Sequence, residues 1–187
     1  QCNGDMNLVD VQSDGGIHAP TIRYHKGTFY IITTNVYNSG DGKPGLMRNF
    51  VITAKDPSGP WSEPYIIEGA PGIDPDIFFD TDGKVYFTGT HSPGDMNANG
   101  IGEIWIQELD IKKWKLTGDR KTVWDGVFGC CTEGPHIYKE HGLYYLLVAE
   151  GGTGKNHAVM MAASKDIFGP YEDCLLYTSD AADEFSC

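Results

Sequence analysis

No stretch of this chain approaches the roughly 18 apolar residues that a membrane-spanning helix needs. Basic residues are scarce as well: 14 Lys and Arg stand against 26 Asp and Glu, and none of the basic side chains gather into a patch. That balance argues against a nucleic-acid or anionic-membrane partner, because no Lys/Arg cluster is available to neutralise a row of phosphates. The five cysteines form no CxxC pair and stand in no zinc-like spacing with histidine, so a structural zinc site is excluded too. Scattered as Cys2, the adjacent Cys130 and Cys131, Cys174 and Cys187, they read mostly as thiols and do not fix a compartment. Helical periodicity is missing throughout.

What the chain has instead is glycine and aromatics. Its 187 residues include 24 glycines, and 12% are aromatic, a composition suited to many short strands joined by tight turns. Three segments repeat a pattern. APTIRYHKGTFYIITT begins at Ala19, DPDIFFDTDGKVYFTGT at Asp74 and GPHIYKEHGLYYLLVAE at Gly134. Each reads small or acidic, Pro, any, Ile, an aromatic within the next two places, a turn with glycine, then an aromatic-rich strand. The anchors Pro20, Pro75 and Pro135 lie about 55 and 60 residues apart. A second marker recurs as DPSGPWSEP from Asp56 and DIFGPYED from Asp166. Further strands are predicted over 50–54, 64–68, 103–109 and 121–124, giving about four per unit, the proportions of a β-propeller blade. The fold class is therefore all-β, with about three blades over 15–70, 71–129 and 130–173.

The ends are read separately. The first residue is Gln1, and the natural start is expected upstream. CLLYTSDAADE, from Cys174, resembles the conceptual translation of a transposase-type sequencing adaptor, so 174–187 is set outside the fold of residues 1–173. The third unit is accordingly expected to lose its outer strand after Asp173.

In a propeller the innermost strands begin around the central axis, so equivalent residues converge there. The pairs before the anchor prolines are His18-Ala19, Ile73-Asp74 and Glu133-Gly134. Two carboxylates and a histidine from three blades are thus expected in one cavity, although Asp-Pro and Glu-Gly-Pro are also ordinary turn openers. Here GGIHAPTIRY, PGIDPDIFF and TEGPHIYKEHGLYYLLVAEGGTGKNHAV together resemble glycoside hydrolase family 43 over residues 14–173. The resemblance implies a five-bladed β-propeller that hydrolyses terminal β-D-xylosyl or α-L-arabinofuranosyl groups of plant polysaccharides with inversion. Its partner would be an oligosaccharide or polysaccharide.

By that resemblance Glu133 is the general acid, and Asp74 the carboxylate that orients it and keeps it protonated. The chemistry asks for both: a glycosidic oxygen leaves readily only when protonated, and a neighbouring carboxylate opposes loss of that proton. His18 stands where relatives often carry an aromatic lining the sugar pocket, and His157 matches a histidine after the GGT loop; both are read as substrate-binding, with a packed structural histidine the alternative for His157. The family's base is an aspartate in an Asp-Pro motif upstream of the first segment. None of Asp5, Asp10 and Asp14 precedes a proline, so the base is expected before residue 1. No cofactor is required, and the resemblance allows a calcium ion at the propeller centre. Asp80 and Asp82 could serve calcium but first form a hairpin turn. His136 is read as structural, and Trp61, Trp105 and Tyr144 as core. Two rivals are a sugar-binding propeller without catalysis and a retaining fructosidase, the latter disfavoured for want of its Arg-Asp-Pro and Glu-Cys segments.

Overall fold

Tight turns and β-branched or aromatic runs dictate the architecture. In the computed structural model, which describes residues 11, 15–37, 46–127 and 131–174, every regular element among the described residues is a strand. Lys26 and Gly27 both adopt positive φ (46° and 76°), as do His141 and Gly142 (49° and 81°). A two-residue loop with both φ positive has the twist that matches two antiparallel strands, so each pair closes a hairpin. Asp80 to Lys84 closes the corresponding hairpin of the second repeat, with Asp80 N–H bonded to the Lys84 carbonyl at 2.9 Å.

Twelve strands result: β1 (Gly16–His25), β2 (Thr28–Tyr37), β3 (Leu46–Ala54), β4 (Tyr65–Ile66), β5 (Asp76–Phe79), β6 (Val85–His91), β7 (Glu103–Asp110), β8 (Lys115–Trp124), β9 (Glu133–Glu140), β10 (Leu143–Glu150), β11 (Ala158–Ser164) and β12 (Glu172–Asp173). They form three four-stranded antiparallel sheets in sequential order, β1–β4, β5–β8 and β9–β12. These are three blades of a β-propeller. One expectation is corrected: the third blade keeps an outer strand, because Glu172 and Asp173 pair with Ala163 and Ala162. It is as short as β4 of the first blade, and both follow a cis Gly-Pro bond, Gly59-Pro60 and Gly169-Pro170. The segment 175–187 and the aspartates Asp5, Asp10 and Asp14 lie outside the described residues.

The middle blade is covered on both faces. Ile77, Phe87, Trp105 and Leu109 pack against Tyr30, Ile32, Val51 and Ile67 of the first blade. Tyr86, Ile104 and Ile106 pack against Ile137, Leu146, Val148 and Met160 of the third. Strand β6 is therefore buried along its whole length and shows no polar face. Burying each large side chain contributes about 1.5–3 kcal/mol, so the two seams hold most of the apolar stabilisation. Trp105 is core as expected. Trp61 is only half-buried, and Tyr144 has a polar task described below.

Candidate active site

The site forms where β1, β5 and β9 begin. In each blade the residue immediately before the anchor proline is left-handed: Ala19 at φ 41°, Asp74 at 56° and Gly134 at 61°. The kink sits in a register break, between His18 and Thr21 in β1 and opposite Val148 in β9. Such a bulge re-aims the side chains that precede it. The register also separates the two carboxylates. Glu133 shares its place with His18 and Ile73, two residues before the proline, whereas Asp74 shares its place with Ala19 and Gly134. The expected common register of Asp74 and Glu133 is thus replaced by a reach across the seam: Asp74 Oδ2 accepts the Gly134 amide hydrogen at 3.0 Å.

Burial pushes the Asp74 carboxyl upward, against the Gly134 hydrogen bond and the neighbouring charges of His18 and His136. Burial also pushes Glu133 up, and the negative charge of Asp74 pushes it further, with His157 opposing. The four residues singled out from sequence are therefore electrostatic neighbours. His18 is fixed through its carbonyl, which accepts the Thr33 hydroxyl at 2.7 Å. His157 is exposed and donates from Nδ1 to the Gly152 carbonyl at 2.8 Å, leaving Nε2 available.

A second layer escaped the sequence reading. Asp76, fully buried in β5, takes both Nε and Nη2 of Arg23 from β1 and Nδ1 of His136 from β9, the last at 3.2 Å. One carboxylate thereby joins the inner strands of three blades, and the Arg23 contacts, with those of His136, hold it below the usual carboxylate range despite burial. His136 is structural, as read, but it is also the neighbour of Asp74. Glu150, likewise fully buried, accepts the Trp124 indole N–H and the Val127 amide, each at 2.8 Å, which pins the chain where it leaves β8. The DTDG carboxylates are engaged: Asp80 binds Lys139 Nζ and the Tyr144 hydroxyl, both at 2.6 Å, and Asp82 accepts the Lys84 amide at 2.8 Å. Among the described residues no group of three or more His, Cys, Asp or Glu is arranged to hold a metal ion.

The sequence profile of glycosyl hydrolases family 43 matches residues 5–180. The chain belongs to this family. Among its relatives, a xylosidase/arabinosidase of Butyrivibrio fibrisolvens is 51% identical over 85% of this chain and 30% of its own length. A xylan 1,3-β-xylosidase of a Vibrio species is 42% identical, over 89% of this chain and 31% of its own. The crystal structure of a xylan β-1,4-xylosidase from Bacillus halodurans C-125 superposes with a TM-score of 0.80 at 37% identity, covering 95% of this chain and 33% of that one. The family 43 chain thus spans about a third of the length of these relatives.

Proposed function

We propose that this segment supplies the acid half of a family 43 glycosidase that removes terminal β-D-xylosyl or α-L-arabinofuranosyl groups from plant polysaccharides. The observation that carries the reading is the contact of Asp74 Oδ2 with the Gly134 amide, which sets a second half-buried carboxylate beside Glu133. A protonated Glu133 donates to the departing glycosidic oxygen as the bond to the anomeric carbon lengthens. The like charge of Asp74 raises the fraction of Glu133 that still holds its proton near neutral pH. Relatives named for xylose and arabinose release support the same substrate class.

The mechanism is inverting: a water attacks the face opposite the leaving group, and a separate carboxylate takes its proton, with the two carboxyls roughly 6.5–9.5 Å apart. By the family resemblance that base lies upstream of residue 1, since no Asp-Pro pair precedes Gly15 in this chain. The chain as it stands should therefore hydrolyse aryl xylosides and arabinofuranosides poorly, because a missing base forfeits about 10²–10⁴ in rate. The chain continued in both directions by its surrounding coding sequence should hydrolyse them well. Proton NMR of that extended enzyme on an aryl β-xyloside should show α-xylose as the first product. β-Xylose appearing first would overturn inversion. Sugar binding without turnover by the extended enzyme would overturn the glycosidase reading in favour of a sugar-binding propeller.

A further inference from the structure

The segments that lead into Asp74 and Glu133 come from different blades, yet one residue touches the peptide in front of each, with its main chain on one side and its side chain on the other. Thr90, at the end of β6 and fully buried, donates its backbone N–H to the Ile73 carbonyl at 3.2 Å. Its hydroxyl donates to the Thr132 carbonyl at 2.8 Å, with the Glu103 carbonyl alongside at 3.2 Å. The Ile73 carbonyl belongs to the peptide bond that begins Asp74, and the Thr132 carbonyl to the one that begins Glu133. The hydroxyl also accepts the Gly102 amide at 3.1 Å, and that amide lies 3.2 Å from the Thr132 carbonyl. A threonine in the second blade thus grips both catalytic peptides at once.

The surroundings fit a clamp rather than an incidental core contact. Gly72 passes so close that a Cβ there would fall 1.7 Å from the Thr90 carbonyl oxygen. Its own amide is held by Asn99 Oδ1 at 3.0 Å, and its carbonyl by Asn49 Nδ2 at 3.0 Å. Asn49 Nδ2 also reaches the Ala70 carbonyl at 3.1 Å, and its Oδ1 accepts the Thr34 hydroxyl at 2.6 Å. The approach to Asp74 is therefore rigid on its own side. On the Glu133 side, the Thr90 hydroxyl and the Gly102 amide hold the Thr132 carbonyl across the seam, beside the contact of Asp74 with the Gly134 amide.

We propose that Thr90 is a positioning residue that fixes Glu133 relative to Asp74 by binding the peptide carbonyls before each. The proposal rests on the reading of Glu133 as the acid. Small displacements of a reacting group can cost on the order of 100-fold in rate, so loss of the hydroxyl should register in catalysis before it registers in folding. Thr90→Val keeps the volume and removes the hydroxyl, both as donor to the Thr132 carbonyl and as acceptor from the Gly102 amide. The Thr132 carbonyl still accepts from Gly102, so no buried acceptor is orphaned.

In the extended enzyme, Thr90→Val should lower kcat about 10-fold on an unactivated xyloside. KM and the rate on a dinitrophenyl xyloside, which leaves without an acid, should stay within about 2-fold. Thr90→Ser should restore the wild-type ratio of the two rates. An unchanged ratio in Thr90→Val, with only a lowered melting temperature, would overturn the clamp. Should Thr90→Val fail to accumulate, Thr90→Cys, a weak donor, replaces it: a ratio lowered relative to Thr90→Ser supports the clamp, and equal ratios overturn it. Glu133→Gln assayed in parallel separates the two ideas. If it retains the wild-type ratio, the acid reading itself fails and the clamp with it. If it loses the ratio while Thr90→Val does not, only the clamp fails.

Discussion

Asp74 and Gly134 occupy the same left-handed position in consecutive blades, and the side chain of one binds the main chain of the other at 3.0 Å. This single contact couples the two halves of the candidate acid machinery. Asp74→Asn removes the charge and keeps an acceptor for the Gly134 amide. Without the like charge Glu133 loses its proton more readily, so the basic limb of the pH profile of kcat/KM should move to lower pH. Asp74→Ala should show the same shift and a larger fall in rate, since the acceptor is lost as well. Initial rates of the extended enzyme across pH 4–9 check both.

Asp76 should govern stability in acid. Its folded pKa lies below the ordinary value of about 3.9, so the stabilisation it brings is present above that value and is lost as pH falls through the folded one. Asp80 is depressed in the same direction and adds to the slope. Asp76→Asn should flatten part of the decline in unfolding free energy below about pH 4, a window set by that ordinary value. At neutral pH, Asp76→Ala should cost about 3–5 kcal/mol, because it leaves the partly buried Arg23 guanidinium without its counter-charge. Urea unfolding at a series of pH values measures both effects.

Glu133 should act with the opposite sign. Its folded pKa is raised, so its contribution is complete below the ordinary carboxylate range and is lost as pH rises through the folded value. Glu133→Gln should therefore become more stable than the parent as pH increases past that point, while catalysis falls. A variant less stable than the parent at pH 7 in the same unfolding series would argue against a desolvated carboxyl beside the Asp74 charge.

The hairpin of the second blade is tied to the third by Tyr144, whose hydroxyl donates to Asp80 at 2.6 Å and accepts from Lys139 at 2.9 Å. Hydrogen bonds to charged groups are worth about 1.5–3 kcal/mol, so Tyr144→Phe should destabilise by that order without altering the pH profile of activity. Thermal melts together with the rate profile test it.

How much of this was legible beforehand follows from where the information lies. The blades were readable because each is local: the hairpins at Lys26-Gly27 and His141-Gly142 and the strand runs around them sit within a few residues of one another. Glu133 and Asp74 were found because both flank an anchor proline. Their offset of one place is readable in Ile73-Asp74-Pro75 and Glu133-Gly134-Pro135, but the hydrogen bond from the Gly134 amide to Asp74 was hidden, since it depends on how two blades meet. Arg23, Asp76 and His136 carried no joint signal, being separated by about fifty to sixty residues at each step and meeting only where three blades converge. Thr90 was masked more completely. It reads as one more β-branched residue in a buried strand, and its role depends on two carbonyls that belong to other residues.

The most direct measurement of the central claim is the dependence on leaving group of the extended enzyme carrying Glu133→Gln. If Glu133 protonates the glycosidic oxygen, kcat on xylobiose should fall by about 10²–10⁴, while kcat on a dinitrophenyl xyloside, whose leaving group needs no proton, should change little. Equal losses on both substrates, or retention of xylobiose hydrolysis, would contradict the assignment of Glu133 as the acid.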